Sequence, residues 1–295
     1  MRRLTALICA LALLGACVRA ETVWTEDAWA DVRAELYSDS AEPVPEEYRV
    51  PLSSFSNAKM EDDGGLTILL MASDAPDMDH NFGRTDLMLL CRMDYLTGDI
   101  CLISLPEEAM VAVPGLPGDV MLRHVNCFGG PHLVLDTVNS LLDAGAYRYC
   151  AVNYDAFREI VDLLGGIDIR LTEREAAALE MEPGKNTLNG DQAIKYVQLR
   201  HTGEGSLQAQ TLMEALANTW TARGSLKDAY RALDLLLPLV DTNLTTKDIL
   251  TAVVNMVGRT APGAFVTGGL STDENGRLGN QARDALRAFL GTGKE

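Results

Sequence analysis

The chain has 295 residues, of which 47% are hydrophobic, and it carries a formal net charge of −17 at pH 7. This apolar content is sufficient for a sizeable core and argues against wholesale disorder. A chain this acidic is repelled by nucleic acid phosphates, which disfavours DNA or RNA binding as its function.

The N-terminus has the organisation of a secretory signal peptide. Arg2 and Arg3 are followed by an apolar stretch over residues 4–14 that is too short to span a bilayer. The motif LGAC is similar to a bacterial lipobox, in which Cys17 becomes the lipidated first residue of the mature protein. Ordinary cleavage after Ala20 is the alternative. Both place the mature domain outside the cytoplasmic membrane, and lipidation would anchor it to the outer face of that membrane.

These features predict three segments. Residues 1–16 form a signal peptide of the lipoprotein type, residues 17–60 a membrane-proximal spacer, and residues 61–295 one folded domain. The spacer is inferred from its Pro-rich and acidic composition, as in "SDSAEPVPEEYRVP".

Strands come first in the predicted domain. "GLTILLMAS" (65–73) is followed by "DLMLLCRMD" (86–94) and "DICLISLP" (99–106), and "YLTG" joins the last two as a hairpin. Their apolar residues occupy consecutive positions, which is typical of strands covered by helices on both faces.

Helices then alternate with strands along the chain. The predicted helices are 131–145, 154–166, a short one after the capping box of Thr172 and Glu175, 190–201, 206–222, 226–240, 246–258 and 280–290, and the later strands are 147–153, 167–171 and 264–270. This order predicts an α/β fold of three layers, α/β/α, around a central mixed sheet, without a clear second domain.

Four cysteines remain after Cys17, namely Cys91, Cys101, Cys127 and Cys150. Because none has C-x-x-C spacing, no disulfide pairing follows from the sequence. Cys91 and Cys101 lie on the two arms of the hairpin, where they could face each other, but buried free thiols are the favoured interpretation.

Charged residues flank the hairpin. Arg84 and Asp86 share a face if they lie in a regular strand, and Glu107 and Glu108 follow the second arm. The two ends of an antiparallel hairpin meet, so Asp86 and Glu108 are candidates to hold Mg²⁺ between them. For Arg84 and Asp86, the alternative is a surface salt bridge at a strand end.

A second cluster contains Lys195, Arg200 and His201, within "KYVQLRHTGEG". Arginine binds phosphate with two parallel hydrogen bonds, so this cluster could hold a phosphorylated ligand. The alternative is a solvated helix end with cations near its C-terminus.

The order of the segments "GRTDLMLL", "ISLPEE", "RHVNCFGGP", "FREIVDLLGGIDI", "LNGDQAIKY" and "QLRH" resembles the LytR-CpsA-Psr family of bacterial cell-envelope proteins. The resemblance covers roughly residues 65–270. It implies an extracytoplasmic enzyme that transfers a glycopolymer from a polyprenyl-pyrophosphate carrier to peptidoglycan, with an apolar tunnel for the polyprenyl tail.

The resemblance also implies roles for individual residues. Arg84 would contact the pyrophosphate, and Asp86 would hold Mg²⁺, with Glu108 replacing a second metal-binding Asp. Glu107, however, stands where the family has a pyrophosphate-binding Arg. In "QLRH", Gln198 replaces one family Arg. Gln198 itself, Arg200 and the neighbouring His201 and Lys195 are the candidates for substrate binding at this cluster.

Two hypotheses therefore remain open. The first is a Mg²⁺-dependent phosphotransferase with Arg84, Asp86 and Arg200 as its catalytic residues. The second is a catalytically impaired member that binds a polyprenyl lipid or a wall polymer as an envelope lipoprotein or scaffold. The arginine losses favour the second hypothesis, because phosphoryl transfer depends on charge neutralisation.

Overall fold

The computed structural model describes residues 25–37, 44–50, 64–76, 81–199, 208, 210–216, 237–257 and 263–291. The chain forms two compact units, Met1–Arg49 and Val50–Glu295. The predicted segment boundaries at residues 16 and 60 stay predictions, and Cys17 lies outside the described residues.

The first unit contains a helix, α1, over Glu26–Leu36, and a 3-10 turn over Glu46–Tyr48. This helix lies in the segment predicted to be a membrane-proximal spacer, for which the sequence analysis predicted no helix. Its N-terminus is capped by Thr25, whose side chain accepts a hydrogen bond from the backbone N–H of Ala28. Local capping and acidic residues in the first turn thus stabilise a helix that a weak apolar period did not reveal.

Among the described residues of the second unit, six strands form one mixed sheet with the order β10-β3-β2-β1-β6-β9. The described strands are β1 Gly65–Ser73, β2 Thr85–Asp94, β3 Ile100–Ser104, β4 Met110–Val111, β5 Val120–Met121, β6 Arg148–Asn153, β7 Ile167–Leu171, β8 Gly184–Leu188, β9 Asp241–Thr242 and β10 Phe265–Gly269. Strand β1 runs antiparallel to β2 and parallel to β6. The pairs β4-β5 and β7-β8 form two small separate sheets.

Helices flank the central sheet. The described ones are α2 Val125–Leu142, α3 Tyr154–Leu163, α4 Glu173–Leu179, α5 Gly190–Gln198, α6 Thr246–Val257 and α7 Asn280–Gly291, and residues 210–216 are also helical. Helix α2 is kinked at Gly129 and Gly130, so that Pro131 begins its second part, as the sequence predicts.

Strand β6 shows how the layers are arranged. Tyr149 meets His132 of α2 edge to face, with the ring centroids 5.0 Å apart. Cys150 and Val152 instead line a cavity together with residues of α3 and α5. Because neighbouring strand residues point to opposite faces, helices cover the sheet on both sides. The predicted three-layer α/β/α fold with a mixed sheet is therefore confirmed.

The hairpin of β2 and β3 corrects one detail of the sequence analysis. Cys91 is opposite Leu102, and Cys101 is opposite Arg92, so the two cysteines are one position out of register. Side chains one position apart point to opposite faces of the sheet. All four cysteines from Cys91 onward are free thiols, as the favoured interpretation predicted, but only Cys127 is buried and the other three are partly exposed.

Strand β8 was not predicted, because "GKNTL" has three consecutive polar residues and one large apolar residue, and Pro183 directly precedes it. It pairs with β7 and closes a small core of its own with α4 and α5. In the described part of the chain, no helix combines the length and apolarity that crossing a bilayer requires.

Candidate active site

The site is built around an irregularity at the start of β2. Ala72 pairs with Leu87 and Ser73 pairs with Thr85, so Asp86 is an extra residue in the ladder. A β-bulge of this kind redirects side chains. Leu87 lines the cavity, and Asp86 reaches Tyr154, which lines the same cavity. The bulge therefore turns two consecutive side chains toward one side of the sheet.

The loop that leads into β2 is held in place by hydrogen bonds from α2. The Asn126 side chain, which is fully buried, donates hydrogen bonds to the backbone oxygens of Gly83 at 2.7 Å and Asn81 at 3.1 Å. A Cβ atom at Gly83 would lie 2.3 Å from the backbone nitrogen of Ala75. Only glycine permits this approach, which brings the start of β2 against the end of β1.

Arg84 is bound to Asp74, the residue that follows β1. One Asp74 oxygen accepts from the Arg84 backbone N–H at 2.6 Å, and the other accepts from Nε at 2.9 Å. This hydrogen bond raises the pKa of Arg84. The sequence analysis placed Arg84 and Asp86 on one face of a regular strand. In the structure, β2 begins only at Thr85, so Arg84 precedes the strand, and the bulge at Asp86 interrupts the regular alternation of side chains.

Asp86 accepts two hydrogen bonds from side chains distant in sequence. Its Oδ1 binds the Nη2 of Arg123 in an ion pair, and its Oδ2 accepts from the hydroxyl of Tyr154 at 2.6 Å. Burial and the negative charge of Asp86 raise the pKa of Tyr154, so this hydroxyl stays protonated and donates. Gln198 shares a hydrogen bond with the same hydroxyl.

Arg123 lies in the 3-10 turn Leu122–His124 that precedes α2. Its backbone N–H donates to the carbonyl of Glu107 at 2.9 Å, and its own carbonyl accepts from the Thr85 hydroxyl at 3.3 Å. The two ends of the hairpin thus meet, as predicted, and Arg123 is fixed between them. Arg123 thus brings a guanidinium to the end of the hairpin, although residue 107, where the family resemblance implies an arginine, is a glutamate.

His124 is a neutral group beside these cations. It is 3% exposed. Burial lowers the pKa of His124 to about 4, and the charges of Arg123 and Arg84 act in the same direction.

An apolar cavity of about 320 Å³ adjoins this charged group. Its walls come from β1, β2, β6, α3, α5 and the helical residues 210–216, and they include Leu70, Leu87, Val152, Phe157, Ile194 and Leu212. Tyr154 belongs to both regions, because its ring lines the cavity and its hydroxyl binds Asp86. The site therefore combines an apolar compartment with a mouth of paired charges, here called the charged mouth: Asp74, Arg84, Asp86, Arg123 and Tyr154.

The donor groups at the charged mouth do not fit a divalent cation as folded. Within the described ranges, no group of three or more His, Cys, Asp or Glu side chains is placed to hold a metal ion. Both oxygens of Asp86 accept hydrogen bonds, from Arg123 and Tyr154. The magnesium ion expected between Asp86 and Glu108 stays a prediction.

The other predicted site residues differ in their placement. Gln198 lies at the charged mouth through Tyr154, and Lys195 is exposed one turn earlier on α5. Glu108 lies in the turn after β3, next to Glu107. Arg200 and His201 lie outside the described residues, and their roles stay predictions.

Sequence reasoning missed Asp74, Arg123 and Tyr154. Asp74 and Tyr154 directly follow the parallel strands β1 and β6, and the carboxyl ends of parallel strands are where α/β proteins bind ligands. That rule would have found both residues. Arg123 carries no such signal, because a short turn far from Asp86 in sequence brings it there.

Comparison with known proteins agrees with this architecture. The model of the LytR_cpsA_psr family matches residues 33–262. The polyisoprenyl-teichoic acid–peptidoglycan teichoic acid transferase TagU of Oceanobacillus iheyensis is 26% identical over 215 residues, which cover 68% of this chain. They cover 66% of that relative, so this chain spans slightly less than two thirds of its length.

Solved structures share the fold at low sequence identity. A structure described as TagT bound to LI-WTA superposes with a TM-score of 0.64 at 19% identity, covering 80% of this chain and 95% of that one. A TagT structure with bound octaprenyl pyrophosphate lipid has a TM-score of 0.59 at 19% identity, with the same coverage. At this identity the likeness shows the fold alone.

Proposed function

The chain belongs to the LytR-CpsA-Psr family, and from this premise we propose that it is a cell-envelope phosphotransferase. Its substrate would be a glycopolymer linked to polyprenyl pyrophosphate, and its acceptor would be peptidoglycan. The TagU relative is named for a reaction of this type, and a TagT structure holds octaprenyl pyrophosphate.

One observation carries the proposal. Tyr154 lines the apolar cavity with its ring and binds Asp86 with its hydroxyl, beside Arg123. A polyprenyl pyrophosphate has the same division, with an apolar tail joined to a charged head. The tail would fill the cavity, and the diphosphate would lie at the charged mouth next to Arg84 and Arg123.

The chemistry required of these residues is mainly positioning and charge neutralisation. A hydroxyl of the acceptor attacks the phosphorus that carries the glycopolymer, and the bond to the polyprenyl phosphate breaks. The new bond completes a phosphodiester. The arginines would neutralise the leaving polyprenyl phosphate, and Asp86 would take the proton of the attacking hydroxyl.

The location of the reaction belongs to the same proposal. A glycolipid carrier is held in a membrane and peptidoglycan lies outside the cytoplasm, so the domain would act on the outer face of the cytoplasmic membrane. The lipobox ending at Cys17 would supply the anchor through acyl chains.

The structure adds one observation in favour of the catalytically impaired alternative, besides the arginine losses. Each arginine of the charged mouth is already paired with a carboxylate, Arg84 with Asp74 and Arg123 with Asp86. A ligand diphosphate must displace these carboxylates or share the arginines with them. A polyprenyl-binding lipoprotein that does not turn over its ligand would have the same cavity.

A transfer assay separates the two functions. The purified protein is incubated with a polyprenyl-pyrophosphate-linked saccharide and peptidoglycan oligomers, with and without Mg²⁺ or a chelator. We expect a phosphodiester-linked product that Asp86→Asn abolishes. Lipid binding without any product in the wild-type protein would contradict the transferase and support the alternative.

A further inference from the structure

Arg123 is the residue whose position goes beyond what the sequence and the family resemblance assign. It lies outside the elements predicted to carry the site, and its guanidinium binds the carboxylate that was expected to hold a metal. One Asp86 oxygen, Oδ1, accepts from this guanidinium. The role of Arg123 rests on the proposed function, because it concerns how the charged head of the substrate is bound.

The environment of Arg123 indicates that its hydrogen bonding is incomplete. The side chain is 18% exposed. Its Nη2 binds Asp86, while its Nε–H is buried and has no hydrogen-bond partner within the described part of the chain. A buried donor on a charged group is costly when it lacks an acceptor. A guanidinium is suited to two parallel hydrogen bonds with phosphate oxygens.

The backbone of Arg123 is fixed by hydrogen bonds, whereas the Nε–H of its side chain is available to a ligand. Glu107 accepts from its N–H, and Thr85 donates to its carbonyl. Both hydrogen bonds are made by residues at the ends of the hairpin, so the main chain that bears this guanidinium is fixed at the charged mouth. This is the arrangement required of a group that positions a ligand.

We propose that Arg123 is the diphosphate-binding cation of this protein and takes the place of a divalent metal at Asp86. When the substrate binds, a phosphate oxygen replaces Asp86 as the partner of the Arg123 fork. The displaced Asp86 is then free to accept the proton of the attacking hydroxyl. In the absence of substrate, Asp86 competes with the diphosphate for Arg123.

This competition predicts the direction in which Asp86→Asn changes the affinity for the diphosphate. If a metal ion bridged Asp86 and the diphosphate, then Asp86→Asn would weaken diphosphate binding. If Asp86 competes for Arg123, the same substitution removes the competing charge and strengthens binding. The two arrangements therefore differ in the direction of the change, as well as in its size.

The test is titration calorimetry of the folded protein with geranylgeranyl diphosphate, in Mg²⁺ and in a chelator. We expect the wild-type protein to bind in both. Arg123→Gln should weaken binding roughly tenfold or more, and Arg123→Lys, which keeps the charge but not the fork, should weaken it less. Asp86→Asn should strengthen binding several-fold by a rough estimate, because the competing charge is removed.

Arg148→Gln is the matched control. Arg148 pairs with Asp248 at 2.6 Å, and its side chain is 22% exposed, but it lies at the opposite end of β6 from Tyr154. The Arg148→Gln variant loses a comparable ion pair but leaves the charged mouth unchanged. Its affinity for geranylgeranyl diphosphate should therefore equal that of the wild type. Circular dichroism shows whether each variant is folded.

The outcomes separate this inference from the proposed function. Binding that requires Mg²⁺, unchanged binding by Arg123→Gln, or weakened binding by Asp86→Asn would each overturn the role of Arg123 and leave the transferase proposal standing. If the wild-type protein does not bind the diphosphate in either buffer, the proposed function fails and the inference fails with it. The Asp86→Asn result decides the matter even when Arg123→Gln does not fold.

Discussion

The carboxylate of Asp86 and the guanidinium of Arg123 form an ion pair although the residues are 37 positions apart in the chain. Asp86 comes from a bulge at the start of β2, and Arg123 comes from the turn before α2. The pair stands next to an apolar cavity through Tyr154. A charged group thus lies directly beside an apolar compartment, as the binding of a lipid diphosphate requires.

Removing the hydroxyl of Tyr154 should impair transfer more than stability. In Tyr154→Phe, Asp86 loses a hydrogen bond of 2.6 Å, and the ring still lines the cavity. Because a hydrogen bond to a charged group contributes about 1.5–3 kcal/mol, we expect the transfer rate to fall about tenfold or more. The measurement is the steady-state rate of product formation.

Tyr149→Phe is the control for this substitution. Its hydroxyl also donates to a carboxylate, that of Asp241 at 2.9 Å, but on the face of β6 that carries His132. We expect lower stability and an unchanged transfer rate. Equal losses of rate in both variants would show that Tyr154 acts only through the general stability of the sheet.

Filling the cavity should exclude the lipid tail. In Val152→Trp, the added rings occupy space between β6 and α3 that a polyprenyl chain would need. We expect calorimetry to show loss of binding of an octaprenyl diphosphate, together with a destabilisation of about 1–3 kcal/mol from overpacking.

Leu163→Trp makes a comparable increase in side-chain size at a position that is 50% exposed. Its binding should match that of the wild type. If Val152→Trp binds the lipid with unchanged affinity, the cavity is not the site of the polyprenyl tail.

The stability of the protein should fall as the pH falls from about 6.5 to 4. The pKa of His124 is lowered to about 4 by burial and by the neighbouring arginines, whereas in the unfolded chain it is near 6.5. Between these values the unfolded state binds a proton that the folded state does not, so folding becomes less favourable. The contribution of His124 approaches about 3 kcal/mol and levels off below pH 4.

Urea unfolding of the wild-type protein and of His124→Asn at several pH values measures this effect. Carboxylates also titrate in this range, so the difference between the two proteins isolates the imidazole. The variant should show the smaller loss of stability on acidification. Parallel pH profiles would mean that His124 is not held neutral by its surroundings.

Gly166 should be intolerant of a side chain. It ends the "LLGG" segment after α3 with a φ of +90°, and a Cβ atom there would lie 2.7 Å from the Cγ2 of Thr187. Backbone strain and the clash with β8 together should cost Gly166→Ala about 2–4 kcal/mol of unfolding free energy.

Gly276→Ala provides the matched comparison. Gly276 also has a positive φ, +72°, but a Cβ atom added there would have no neighbouring atom within 4 Å among the described residues. It should lose only the conformational part, about 1 kcal/mol. A similar loss in both variants, measured by urea unfolding, would show that the contact with β8 contributes little.

The strands and helices of the central sheet were predictable because their patterns are local. The consecutive apolar residues of β1 indicated cover on both faces, and Pro131 marked the second part of α2. The strand β8 was missed because its polar sequence is stabilised by pairing with β7, which is a tertiary contact. Residues of the charged mouth were predictable in part, because Arg84 and Asp86 stand at the start of a strand that the sequence indicates.

The sequence by itself determined the family, the α/β architecture and the presence of charges at the ends of the β2–β3 hairpin. Only the tertiary structure decided which charges meet. A one-residue bulge redirects Asp86, and a turn outside the predicted elements brings Arg123 to it. The physical reason is that strand and helix periods depend on neighbours in sequence, whereas the pairing of charges depends on side-chain positions that the folded backbone fixes across long separations.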